Sequence, residues 1–236
     1  MTTTTTQLLL PGQAAAHPGP VDMNIMYVMH RGFRRDLDLF TAAARATPVE
    51  DRGTWRRLAE RWGVFAAILH NHHEGEDTAL WPFLMERADE DDRATLEAME
   101  AEHAEIDPIL TACAAGLEHL AGHADADAQR ALVVRLTAAR ERLGAHLAHE
   151  ESDAIALIQR VMTQEEWEEV DQAFKEHLTP RLLLQIVPWG LSGLPDEATQ
   201  WLYSQPGGAV YRLVGALTRR GFARRERLAF RHVPDA

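Results

Sequence analysis

Two histidine–glutamate pairs, His72/Glu76 and His146/Glu150, restrict the folding of this chain more than any other feature. The i, i+4 spacing stacks both side chains of a pair on one helical face. That face is otherwise apolar. Trp55, Leu58, Trp62, Phe65, Leu69 and Leu80 share the first stripe, and Leu132, Leu136, Leu143 and Leu157 the second. Ionised carboxylates on a core-facing stripe are costly unless something inside the core balances them. Two more histidines, His30 and His103, fall on the apolar stripes of two further predicted helices.

The three- and four-residue steps between apolar residues predict helices over about 22–46, 51–88, 91–120 and 128–161. Asp22 opens the first, whose inward stripe is Met23, Met26, His30, Phe33 and Leu37, and Thr47-Pro48 closes it. Leu96, Met99, His103, Ile106 and Leu110 line the third, and residues 121–127 read as a loop. Pro82 sits inside the second pattern and should kink or interrupt it, because proline removes a donor and crowds the preceding turn. The expected fold is all-α: an up-down-up-down four-helix bundle over residues 22–161. Thr163 and Glu166 form a capping box for a fifth helix reaching about His177. With shorter helices near 196–204 and 209–230, residues 162–236 form a helical C-terminal extension. Residues 1–20 read as a flexible, uncleaved leader, since they lack a basic start and a long enough apolar run for a signal peptide.

The net charge of −12 is unevenly spread: seven arginines from Pro206 onward face only Glu226 and Asp235, so the rest of the chain carries −17. Nucleic acid is not an expected partner for so acidic a body. In the basic tail Val210, Leu213, Val214 and Leu217 share one side. The favoured reading is a helix packed on the bundle with its arginines solvated; the alternative is an acidic partner or a membrane surface. No apolar run is long enough to be a transmembrane segment. The single cysteine, Cys113, excludes an internal disulfide and fits a reducing compartment, and the expected location is cytoplasmic.

If the four stripes meet, four imidazoles and two carboxylates converge on the interior. Each histidine alone reads as an ordinary core residue, and each glutamate alone as solvated; one such set on every helix does not. A pair of cations bridged by the carboxylates would remove the burial penalty. Imidazole with carboxylate and no thiolate points to iron or manganese, and less strongly to zinc. Ferritin-like sites need two Glu-x-x-His motifs, and only Glu100 to His103 falls suitably. No hydrolase, nucleotide or dinucleotide signature appears, so no catalytic residue or organic substrate is named.

The order His30, then His72-His73-x-x-Glu76-Asp77 leading to Leu80-Trp81-Pro82, then Glu102-His103, then His146-x-x-x-Glu150-Glu151 resembles the hemerythrin-like, or HHE cation-binding, domain over about residues 22–161. The resemblance implies a bundle around a non-haem centre of two iron ions bridged by Glu76 and Glu150. His30 and His72 would hold one iron, and His103 and His146 the other. The implied function is binding or sensing a small oxidant: dioxygen, peroxide or nitric oxide. The alternatives are an oxidoreductase using the same centre and a structural or regulatory metal protein. One departure stands out. Oxygen-carrying hemerythrins have two histidines four residues apart on the third helix, whereas here His103 has Met99 at i−4 and Asp107 at i+4. A vacancy, a water or a substitute carboxylate would take that place. His73 is positioned to lean in, and Asp77 replaces Glu76 if the register differs by one. The departure counts against reversible oxygen carriage. Tyr27, one turn before His30, either hydrogen-bonds the site or a bound oxygen species, or packs with its hydroxyl satisfied. His149 reads as exposed or as a support to the ligands.

Overall fold

Helices account for nearly all the regular structure in the computed structural model, which describes residues 4–176 and 178–234. His177, the expected end of the fifth helix, lies outside the described residues. The helices are α1 (Asn24–Ala46), α2 (Arg52–Gly75), α3 (Trp81–Met85), α4 (Glu90–Gly122), α5 (Ala126–His149), α6 (Ile155–Val161), α7 (Gln164–Glu176), α8 (Pro180–Leu191), α9 (Asp196–Ser204) and α10 (Gly208–Ala229). None is long and apolar enough to cross a membrane. Asp51, Asp89 and Asp125 cap α2, α4 and α5 by accepting from backbone N–H groups of the first turn. The capping box forms: the Thr163 N–H donates to Glu166 Oε2 at 2.9 Å and the Glu166 N–H to Thr163 Oγ1 at 3.2 Å.

The second and fourth predicted helices each contain a π turn. Glu76–Leu80 joins α2 to α3, and Glu150–Ala154 joins α5 to α6. The Glu76 carbonyl accepts from the Trp81 N–H and the Glu150 carbonyl from Ile155, each one residue further along than in an α-helix. Pro82 falls just after the first of these turns, in the opening turn of α3, and the helical path continues through it; the second π turn forms without a proline.

α2 packs on α4, α4 on α5 and α5 on α1. Their buried apolar residues divide into two clusters, and each helix passes from one to the other in the turn that carries its histidine. α1 runs from Met23 and Tyr27 in one cluster to Phe33, Leu37 and Phe40 in the other. α2 runs the opposite way, from Trp55–Leu69 to Leu80 and Trp81 beyond its π turn. α4 passes from Leu96 and Met99 to Ile106 and Leu110, and α5 from Leu132–Leu147 to Ile155 and Ile158. The histidines therefore form a polar layer between two apolar plugs.

The C-terminal helices pack against these helices. Trp189 of α8 is fully buried, its ring 5.2 Å from that of Phe33, and Phe230 meets Phe40 at 5.3 Å. Two glycines permit the approach. A Cβ on Gly32 would lie 2.4 Å from the Trp189 ring, and one on Gly75 would lie 2.5 Å from Phe174 of α7. A buried polar knot ties the same elements: Asp36 Oδ2 accepts from Arg61 Nη2 at 2.6 Å and from Trp189 Nε1 at 2.8 Å, while Arg61 Nε donates to Glu226 Oε1 of α10 at 2.6 Å.

α10 corrects the expected face of the tail. It buries Gly208, Gly215, Phe222 and Ala229, whereas Val210, Leu213 and Leu217 are 50%, 61% and 74% exposed. Gly215 lets the helix sit close, since a Cβ there would lie 2.7 Å from Leu191 of α8, and close packing outweighs the greater hydropathy of the leucine stripe. The segment read as a leader is laid against the bundle: the Leu8 N–H donates to Asn24 Oδ1, and the Ala14 N–H to Glu151 Oε2 at 2.7 Å.

Candidate metal centre

Consecutive histidines on α2 point to different neighbours. α2 lies beside both α1 and α4, so side chains about 100° apart reach separate helices. The His72 ring stands edge-on to His30 of α1 at 5.3 Å, and His73 stacks on His103 of α4 at 3.9 Å. Glu76, one turn further along, is fully buried between them.

Two donor groups result, each able to place one atom per residue within 4.8 Å of the others: His30, His72, Glu76 and Glu150, and His73, Glu76, His103 and His146. Glu76 belongs to both, Glu150 to the first. His30 Nε2 lies 3.2 Å from Glu150 Oε2, His72 Nε2 3.1 Å from Glu76 Oε1, and His103 Nε2 3.5 Å from Glu76 Oε2. All seven residues are buried. The sequence expected His30, His72, Glu76, His103, His146 and Glu150 inside, with His73 as an addition; the structure brings these seven together. Met99 packs in an apolar plug and Asp107 is exposed, so both lie outside the donor groups.

Outer carboxylates orient the rings. Glu151 Oε1 accepts from His30 Nδ1 at 2.9 Å, Asp77 Oδ1 from His103 Nδ1 at 2.8 Å, and Glu102 Oε2 from His146 Nδ1 at 2.8 Å. An ionised carboxylate only accepts, so each Nδ1 carries a proton and each Nε2 faces the interior, where it offers a lone pair whenever the ring is neutral. Burial opposes ionisation of Glu102, but hydrogen bonds from His146 and His149 hold it below the usual carboxylate range. Burial opposes Glu151 likewise, and His30 and Arg34 outweigh it. Arg34 binds Glu151 through both terminal nitrogens, at 2.7 and 2.9 Å. Sequence reading assigned no such role to Glu102, Glu151 or Arg34: the two glutamates support histidines on helices other than their own, and Arg34, on α1 with His30, acts through Glu151.

The π turns also shape the site. Each opens at a donor glutamate and is followed at once by a second acidic residue, Asp77 or Glu151, that reaches a ring nitrogen. Widening the turn lets two adjacent carboxylates serve one site, a use of π turns that recurs at functional centres.

The donor set fits cations. His30 Nε2, His72 Nε2, His73 Nε2 and both oxygens of Glu76 and Glu150 are buried without hydrogen-bond partners. His103 Nε2 and His146 Nε2 face each other at 3.1 Å, although with both Nδ1 atoms protonated neither has a proton to share. Buried polar atoms are satisfied almost everywhere in proteins, so this many exceptions at one point call for a ligand. Left to themselves the groups resist charge. Burial, with Glu150 and Asp77 nearby, pushes Glu76 well above the usual range. Burial opposes Glu150 too, but His30 holds it low, and against its own burial His30 rises to about 9 beside Glu150 and Glu151. Burial and the neighbouring imidazoles press His72 and His73 well down. Tyr27 is buried, and burial together with Glu151 and Glu150 outweighs a backbone contact at His17 and keeps its phenol protonated.

Glu102→Gln tests the outer layer. Glutamine can accept from only one of His146 and His149 while presenting an amide N–H to the other. Metal affinity should fall roughly 10–100-fold, the usual cost of losing such a support, with the melting temperature of the metal-free protein unchanged.

The model of the hemerythrin HHE cation-binding domain matches residues 22–158. No curated protein and no solved structure matches the chain. The matched span takes in both donor groups and every carboxylate that orients them, and the chain belongs to the hemerythrin HHE cation-binding family.

Proposed function

We propose that the chain is a non-haem di-iron protein that binds or senses a small oxidant (dioxygen, peroxide or nitric oxide) inside an up-down-up-down four-helix bundle. The alternating order in which the helices cross the two apolar plugs supports that topology. One observation carries the functional reading: seven buried donor atoms of His30, His72, His73, Glu76 and Glu150 without partners, joined by the facing nitrogens of His103 and His146. Iron is preferred, with manganese and zinc behind it, because the set is imidazole and carboxylate without thiolate. His30 and His72 would hold one ion and His73, His103 and His146 the other, with Glu76 available to both and Glu150 to the first. Bound iron would supply redox chemistry and an open coordination position. The protein's own part is to keep each Nε2 free through Glu151, Asp77 and Glu102, and to exclude bulk water with the two plugs.

Tyr27 favours a second reading, an oxidoreductase that decomposes peroxide or activates oxygen. Its protonated hydroxyl is a buried hydrogen-bond donor near Glu150 and Glu151.

Metal analysis of protein from its own host, followed by optical spectra with azide and peroxide, tests both readings. A content of about two irons per chain is expected, with a charge-transfer band on adding azide. Zinc as the bound metal, or a single iron, overturns the proposal. Steady oxygen evolution from peroxide that Tyr27→Phe slows without iron loss selects the oxidoreductase; its absence selects the binder.

A further inference from the structure

His72 also lines a cavity of about 120 Å³ that lies between α1, α2 and the C-terminal extension. Its walls include Met26, Val28 and Met29 on α1, Phe174 on α7, and Ile186 and Val187 on α8. Most of the enclosure therefore comes from residues beyond the matched domain. Gly75 sets the position of Phe174 on this wall, because any side chain there would collide with its ring. The His72 ring presents no carboxylate partner toward it, in contrast with His30, His103 and His146, whose Nδ1 atoms are held by Glu151, Asp77 and Glu102.

We infer that this cavity is a binding site for a small, uncharged, apolar molecule of about one aromatic ring, seated against His72. Size supports the limit: an engineered apolar cavity of roughly 150 Å³ takes up benzene. Charge supports the class. The charged residues on the wall, Asp171 and Lys175, are ion-paired with each other and offer no free countercharge. The Asn71 amide is directed to the Phe174 carbonyl at 3.5 Å. Two flexible methionines let the wall adapt to ring shape. The inference deepens the di-iron reading, since the molecule would sit on the far side of a metal-facing histidine; binding itself does not require that reading.

Calorimetry of the full chain as isolated, with toluene as the probe and benzoate as its charged counterpart, tests the site. Saturable binding of toluene, with benzoate at least tenfold weaker, is expected. Ile186→Trp and Leu183→Trp each fill the space from the half-buried side of α8 and should weaken toluene at least tenfold while the melting temperature is kept; if one variant fails to fold, the other decides. No saturable heat with toluene, benzoate binding as tightly as toluene, or toluene affinity unchanged in a folded filling variant overturns the inference. Loss of the di-iron reading would appear separately, as missing iron or a missing azide band with toluene binding intact.

Discussion

Glu76→Ala should strip metal from both donor groups at once, whereas His73→Ala should weaken the group with His103 and His146 and spare the one with His30. Glu76 is the carboxylate common to the two groups, with oxygens 3.1 Å from His72 Nε2 and 3.5 Å from His103 Nε2. The loss in affinity should exceed the roughly 10–100-fold typical of outer supports such as Glu102. Metal content after dialysis, measured for both variants, gives the answer. Equal retention of metal by Glu76→Ala and the unaltered protein would show that the cluster holds its ions some other way. The metal-free proteins offer a control with the opposite sign. Removing a buried carboxylate that burial pushes toward the neutral form relieves a strain, so Glu76→Ala should melt no lower than the unaltered chain once both are stripped.

Asp36→Ala should be the most destabilising substitution remote from the metal centre. Asp36 is fully buried and accepts from Arg61, Arg35 and Trp189, so its removal leaves a buried guanidinium and a buried indole N–H short of partners. Breaking a buried pair costs about 3–5 kcal/mol, and the lower end applies because Glu226 still holds Arg61. For a chain of this size about 3 kcal/mol lowers the melting temperature by roughly 6–12 °C. The same carboxylate gives the stability an acid limb. Burial raises its pKa, but Arg61 and Arg35 outweigh burial and hold it below the usual range. A folded-state pKa below the unfolded one gives stability that is present above the unfolded value of about 3.9 and fades as pH falls through the folded value. Asp36→Asn should therefore flatten the loss of melting temperature below about pH 4. An unchanged acid limb would show that other carboxylates govern it.

Both substitutions act on features of different visibility. The periodic stripes and the i, i+4 pairs of His72 with Glu76 and His146 with Glu150 can be read along the chain, because on a helix the direction of a side chain follows from its position alone. The same local rule marked Pro82 as a break and Thr163 with Glu166 as a cap. It also marked Met99 and Asp107 as neighbours of His103 on one face, yet Met99 fills an apolar plug and Asp107 meets solvent. One turn along a helix displaces a residue about 5.4 Å, enough to leave a layer only one side chain deep.

Composition and helical periodicity by themselves determined a helical chain with histidine and glutamate residues turned inward as donors suited to a cation. The folded arrangement alone decided that His73 joins His103 and His146, that Glu102 and Glu151 support histidines on other helices, that π turns place paired carboxylates, and that α10 buries Gly208 and Gly215 rather than Leu213 and Leu217. The reason is physical. A side chain's direction is set within its own helix, whereas its partner is set by whichever helix packs opposite, at a rotation and depth that no local pattern encodes.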